Sequence, residues 1–153
     1  MQKRPIPSGK ITEKEALSKA ASLCSRRECC VSEIMQKLEQ WGAPADSHER
    51  IVTRLIDERY VDESRFARAF ALDKLRYNHW GRIKIDQSMR LLGISPDDRR
   101  AALDELPAEE YRDILRHLVD SKLPTIKASS DYERRGKLMR FLASRGFEPD
   151  LTR

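Results

Sequence analysis

Long apolar runs are missing from this 153-residue chain. None approaches the roughly 20 residues needed to cross a bilayer, and the opening stretch MQKRPIPSGK lacks the apolar centre of a secretory signal. Cysteine is scarce and odd in number: Cys24, Cys29 and Cys30, two of them adjacent, do not make the even, spaced set of a secreted disulfide framework. A reducing, cytoplasmic setting is expected. His48, His79 and His117 lie far apart in no metal-binding or nucleophile-activating spacing, and no glycine-rich phosphate loop occurs. The cysteines could ligate zinc only with a distant His and find no fourth ligand, so they are expected as buried or bystander thiols. No catalytic constellation, metal, cofactor or small-molecule substrate is expected, and a small nuclease or other enzyme finds no support.

What the chain does have is charge and helix formers. Charged residues make up 36% and apolar residues 39%, with six Gly and seven Pro. That is too apolar for a disordered chain and too rich in Lys, Arg, Glu, Ala and Leu for an all-β one. The net charge of +5 is unevenly spread, with +1 over residues 1–58, +4 over 59–94, −3 over 95–123 and +3 over 124–153. A polyanionic partner would therefore meet the middle and the end. Length alone allows either one compact domain or an array of modules of roughly 50 residues.

Helix signals recur along the chain. Thr12 with Glu15, Asp46 with Glu49, and Ser130 with Glu133 have capping-box spacing. Ser32 opens a second helix carrying Ile34, Met35, Leu38 and Trp41. Asp62 opens a fourth, with Val61 and Phe66 placed as a hydrophobic staple. A fifth runs from Gly81 to Leu92, a sixth starts at Ser95-Pro96, a seventh carries Tyr111, Ile114, Leu115, Leu118 and Val119, and Leu123 to Ser129 reads as a linker.

These elements repeat. Aligned on Gly42, Gly93 and Gly146, the chain shows Leu38, Met89 or Leu142 four residues earlier and Ile34, Ile85 or Leu138 eight earlier. Asp46, Asp97 or Asp150 stands four residues later, with Pro44, Pro96 or Pro149 just ahead of it. A helix, a Gly stop, a Pro-Asp turn and a further helix form each unit. The expected fold is therefore all-α: an elongated array of three tandem three-helix modules over residues 12–58, 59–106 and 107–153, after a flexible segment over residues 1–11.

Residues 75–90, LRYNHWGRIKIDQSMR, interleave Arg76, Arg82, Lys84 and Arg90 with Tyr77, His79 and Trp80. Two readings stand side by side: a surface for a polyanion or acidic groove, or a core Trp80 and Tyr77 with merely solvated cations. On a wheel of about 100° per residue, Ile85, Met89 and Leu92 share one face of the fifth helix, while Ile83, Gln87 and Leu91 fall opposite, flanked by Lys84 and Arg90. The second apolar face must meet a neighbouring module or a partner. The candidate partner-binding residues are Lys74, Arg76, Tyr77, Trp80, Arg82, Ile83, Lys84, Arg90 and Leu91 in the middle. Arg134, Arg135, Lys137 and Arg140 are the candidates at the end.

The runs YVDESRFARAF at residues 60–70 and GRIKIDQSMRLLGIS at residues 81–95 resemble the central module of RecX regulatory proteins, with a weaker likeness from about residue 12 onward that includes LMRFLASRGF. The resemblance implies three tandem three-helix modules lying in the groove of a RecA nucleoprotein filament and limiting strand exchange, ATP hydrolysis and cleavage of the SOS repressor. It implies RecA as partner. Beside it, the cations of the chain allow weak, nonspecific binding of single- or double-stranded DNA. Two departures stand out: Arg59 sits where a Gly commonly precedes the Tyr, and the last module looks cut short at Arg153. The alternative is a direct DNA-binding protein of helix-turn-helix type. Against it, the sixth helix opens with Asp97 and Asp98, which repel phosphate.

Overall fold

A computed structural model describes residues 11–151 of the chain. The flexible segment expected over residues 1–11 therefore falls, Ile11 apart, outside the described residues. Among these, eight α-helices and no strand are formed: α1 (Glu13–Arg26), α2 (Val31–Gln40), α3 (His48–Asp57), α4 (Glu63–Asn78), α5 (Arg82–Leu91), α6 (Pro96–Asp104), α7 (Ala108–Lys122) and α8 (Asp131–Ser144). Short 3-10 turns over Ala45–Ser47, Leu123–Thr125 and Pro149–Leu151 complete the path. No helix of the described residues is long and apolar enough to cross a membrane.

Most helix starts follow the sequence. The Glu15 N–H donates to the Thr12 hydroxyl at 3.1 Å, the Asp98 N–H to Ser95 at 3.2 Å, the Glu133 N–H to Ser130 at 3.1 Å, and the Arg65 N–H to the Asp62 carboxylate at 3.0 Å. The return arm of the capping box differs. Glu15 accepts from the Thr12 hydroxyl, and Glu133 accepts from Ser129 N–H and hydroxyl, in place of the cap's own N–H. Asp46 does not cap the third helix. It lies inside the 3-10 turn, and α3 begins at His48 behind Ser47, whose hydroxyl donates back to the Pro44 carbonyl at 2.6 Å. Pro44 starts a tight turn that uses up the residues between the Gly stop and the helix. The second helix starts one residue before Ser32, at Val31.

The three repeat glycines share one conformation, with φ of 74°, 78° and 90° at Gly42, Gly93 and Gly146. Around Gly42 and Gly146 the bonds of a Schellman stop are complete. Ala43 N–H donates to Leu38 O at 3.0 Å and Gly42 N–H to Glu39 O at 3.0 Å; Phe147 N–H donates to Leu142 O at 3.1 Å and Gly146 N–H to Ala143 O at 2.9 Å. The residue after each glycine, Ala43, Ile94 or Phe147, is buried, as are Leu38, Met89 and Leu142 four residues before. Two further stops use residues other than glycine. Arg59 (φ 61°) ends α3, with Tyr60 N–H donating to Leu55 O at 2.8 Å, and His79 (φ 55°) ends α4, with Trp80 N–H donating to Lys74 O at 3.1 Å.

Contacts gather into two compact units, one comprising residues up to Phe66 with Leu92–Ile94, the other Ala67–Leu91 with residues from Ser95 onward. In the first, α1, α2 and α3 enclose one core that includes Ala16, Ala20, Ile34, Leu38, Ile51 and Leu55. Cys24 and Cys29 belong to that core, and Cys30 is buried as well. Burial pushes the Cys24 thiol up to about 12, and burial raises Cys29 and Cys30 as well. In the second unit Leu75, Ile85, Met89, Tyr111, Leu142 and Phe147 are almost wholly buried.

Candidate partner-binding surface

The candidate surface is built where α4 stops. The left-handed His79 turns the chain and leaves Trp80 half-buried, with the Lys84 Nζ 4.6 Å and the Lys74 Nζ 5.1 Å from its ring centroid. Lys74 also lies over Phe70 at 5.3 Å. Both ammonium groups thus rest on aromatic faces, a contact of about 0.5–1 kcal/mol at a partly wet site. Tyr77, expected in the same cluster, is 80% exposed.

The start of α5 is held by the end of α8. Gly81 N–H donates to Arg145 O at 2.7 Å, and Ile83 N–H to Gly146 O at 3.0 Å. The backbones approach so closely that a Cβ on Gly81 would sit 2.4 Å from the Gly146 oxygen, and one on Gly146 2.5 Å from the Lys84 nitrogen. Next to this junction Arg82 turns inward. Its guanidinium lies 4.0 Å from the Tyr111 ring centroid and pairs with Glu148 at 3.2 Å, while its backbone N–H donates to the Tyr111 hydroxyl at 3.0 Å. Tyr111 in turn donates to Glu148. Burial, reinforced by the hydrogen bond to Glu148, pushes the Tyr111 phenol well above its ordinary value, so it stays protonated.

The sequence-derived set therefore divides. Arg76 makes a two-pronged pair with Glu110, at 2.6 and 3.0 Å, and that bond holds the Glu110 carboxyl below the usual range. Arg76 and Arg82 are thus engaged within the fold. Arg90 makes no ion pair among the described residues and is exposed beside Leu91, which is 89% exposed, and Gln87 on the outer face of α5. Ile83 on the same face is 42% exposed, while Ile85 and Met89 are fully buried on the opposite one. The two-faced helix expected from the wheel is present. On α8, Arg134 pairs with Asp131 at 3.0 Å and Lys137 with Glu133 at 3.2 Å, whereas Arg135 and Arg140 are exposed with no ion pair among the described residues.

Sequence reasoning missed Tyr111 and Glu148 as partners of Arg82, and Gly81 as a packing residue. The signals were faint: a tyrosine within an apolar stripe, whose hydroxyl needs a partner once buried, and a glycine ahead of a helix where a capping side chain is usual.

Fold and surface together define an all-α protein of tandem three-helix domains that presents a mixed apolar and basic helix face. Two family models match, described as RecX, second three-helix domain, over residues 62–103, and RecX, third three-helix domain, over residues 109–153. A regulatory protein RecX of Pseudomonas fluorescens is 30% identical over 86% of this chain and 83% of its own length. That of Chromobacterium violaceum is 30% identical over 92% and 88%. The chain belongs to the RecX family. It spans about half the length of a Leuconostoc mesenteroides relative, 52%, at 25% identity. In fold it matches a crystal structure of a regulatory protein RecX with a TM-score of 0.82 at 21% identity, covering 91% of this chain and 68% of that one. It also matches RecX from Lactobacillus salivarius with a TM-score of 0.80 at 17% identity, covering 92% and 91%.

Proposed function

We propose that this chain binds a RecA nucleoprotein filament and restrains its strand-exchange, ATPase and coprotease activities in DNA repair, recombination and the SOS response, acting as a cytoplasmic regulator with no catalysis of its own. On this reading three modules, over residues 12–58, 59–106 and 107–153, supply the contact. The observation that carries the reading is the outer face of α5, where Ile83 and Leu91 stand exposed beside Arg90 while Ile85 and Met89 on its other face are fully buried. Apolar area ringed by cations suits a protein groove with an acidic rim, because burial supplies affinity and the rim charges supply steering. Membership of a family whose relatives are named regulatory proteins supports it.

The face is tested with the triple variant Ile83→Glu, Lys84→Glu, Arg90→Glu, which leaves the Arg82 network intact. Added to RecA with ATP and single-stranded DNA, the parent chain should inhibit ATP hydrolysis at substoichiometric dose. The variant, with unchanged circular dichroism, should lose at least about tenfold in potency, the effect of removing interface anchors. Undiminished inhibition by a folded variant rules out this face. Absence of inhibition by the parent chain, together with tight binding to DNA alone, favours instead the direct DNA-binding alternative.

A further inference from the structure

His79 and His117 lie far apart in sequence, and the fold of the second unit sets their rings side by side. The centroids are 6.3 Å apart and the planes stand edge to face at 78°. His79 is half-buried in the left-handed turn that ends α4, whereas His117 is exposed on α7. The same two elements are tied by the two-pronged Arg76–Glu110 pair, with Glu110 two turns before His117 on one side of α7. That bridge sets the distance between the imidazoles before any ligand arrives.

The distance decides what the pair can hold. A metal–nitrogen bond of about 2.0–2.1 Å places an imidazole centroid about 3.2 Å from the ion, so two rings sharing one ion have centroids at most about 6.4 Å apart. The observed separation lies within that span. A tetrahedral angle at the ion brings the centroids to about 5.2 Å, and turning the exposed His117 about its side-chain torsions supplies the difference of about 1 Å. The charge around the pair also suits a cation. Asp113 and Asp120 stand one turn to either side of His117, exposed and without an ion pair among the described residues. Arg76 is neutralised by Glu110, and Arg145 is drawn to the Asn78 carbonyl at 3.5 Å and the Phe141 ring at 5.1 Å.

We propose that His79 and His117 together bind one divalent transition-metal ion of the Cu²⁺, Ni²⁺ or Zn²⁺ class, Cu²⁺ most tightly. Imidazole nitrogen suits these ions, whereas Mg²⁺ and Ca²⁺ call for oxygen donors. No third His, Cys, Asp or Glu of the described residues completes a set, so water fills the remaining positions. The ion would pin the end of α4 to α7. His48 takes no part, being in the first unit with its Nε2 at 3.0 Å from the Ala43 carbonyl oxygen. A mere edge-to-face contact of two rings would explain their closeness and would give no response to metal.

The test uses the full chain and the ion alone, with Zn²⁺ followed by titration calorimetry and Cu²⁺ by electron paramagnetic resonance. The Cu²⁺ spectrum should carry splitting from two imidazole nitrogens. His79→Asn, whose side chain tolerates the left-handed turn, and His117→Gln should each weaken Zn²⁺ binding at least about tenfold, because loss of either ring turns chelation into attachment through one ligand. His48→Gln should bind as the parent does. Glu110→Gln keeps both rings but releases Arg76, and should weaken binding by a smaller factor. Zn²⁺ should raise the melting temperature of the parent and of neither ligand variant. A single imidazole nitrogen in the Cu²⁺ spectrum, unchanged affinity in folded His117→Gln, or an equal loss in His48→Gln would each overturn the assignment.

Discussion

Arg59 occupies a left-handed turn that glycine fills at the three repeat stops, and it completes the same hydrogen bonds. A side chain in that conformation costs roughly 1–2 kcal/mol, part of which glycine returns as unfolded-state entropy. Arg59→Gly is therefore expected to stabilise the protein by about 1 kcal/mol, a rise of about 2–4 °C in melting temperature. Arg59→Ala should do much less, because alanine keeps the Cβ. The buried thiols make a second prediction at this scale. With Cys24 pushed up to about 12 and Cys29 and Cys30 also raised, the native protein holds almost no thiolate at pH 8. Iodoacetamide should alkylate all three only in denaturant, as mass spectrometry of native and unfolded samples would show. Rapid native labelling would place one of them at the surface.

Among the elements, α8 has an unusually well-tied start. Glu133 accepts from the Ser129 N–H and hydroxyl and pairs with Lys137, and these bonds lower its carboxyl to about 2. The folded value lies below the ordinary carboxylate range, so the contribution is fully present above about pH 4.5 and fades as pH falls toward 2. Amide exchange in the first turn of α8 should quicken over that window, and Glu133→Gln should remove the pH dependence. The helices themselves were largely legible, since caps at Thr12, Asp62, Ser95 and Ser130 act through local bonds that spacing reveals. The Gly-centred repeat was legible for a related reason. A left-handed stop with a buried residue four positions before it is a demand on one short segment. Asp46 shows the opposite case, in which Pro44 and a 3-10 turn consumed the residues that spacing alone assigned to a cap.

At the scale of the molecule, what pattern could not reveal was pairing across long separations. Arg82 looked like one cation among several, but its partners Tyr111 and Glu148 lie 29 and 66 residues away. Periodicity carries no information over that distance. The outer face of α5 was readable because Ile83 and Leu91 answer only to the helix's own wheel. The junction of Gly81 with Gly146 yields an ordering of glycine variants. Gly146→Ala combines a φ of 90° with overlap onto the Lys84 backbone and should cost about 2–4 kcal/mol. Gly93→Ala has φ 78° but open space around it, and should cost about 1 kcal/mol. Urea midpoints measure both, and a reversed order would refute the close approach.

That junction also bears on how the chain is made. The carbonyls that accept from Gly81 and Ile83 belong to Arg145 and Gly146, more than sixty residues downstream. A nascent polypeptide leaving the ribosome exposes the beginning of α5 well before its acceptors have been synthesised. During that interval those amides must bond to water, and the second unit reaches its native arrangement only after Arg145 and Gly146 have been added and have left the ribosome.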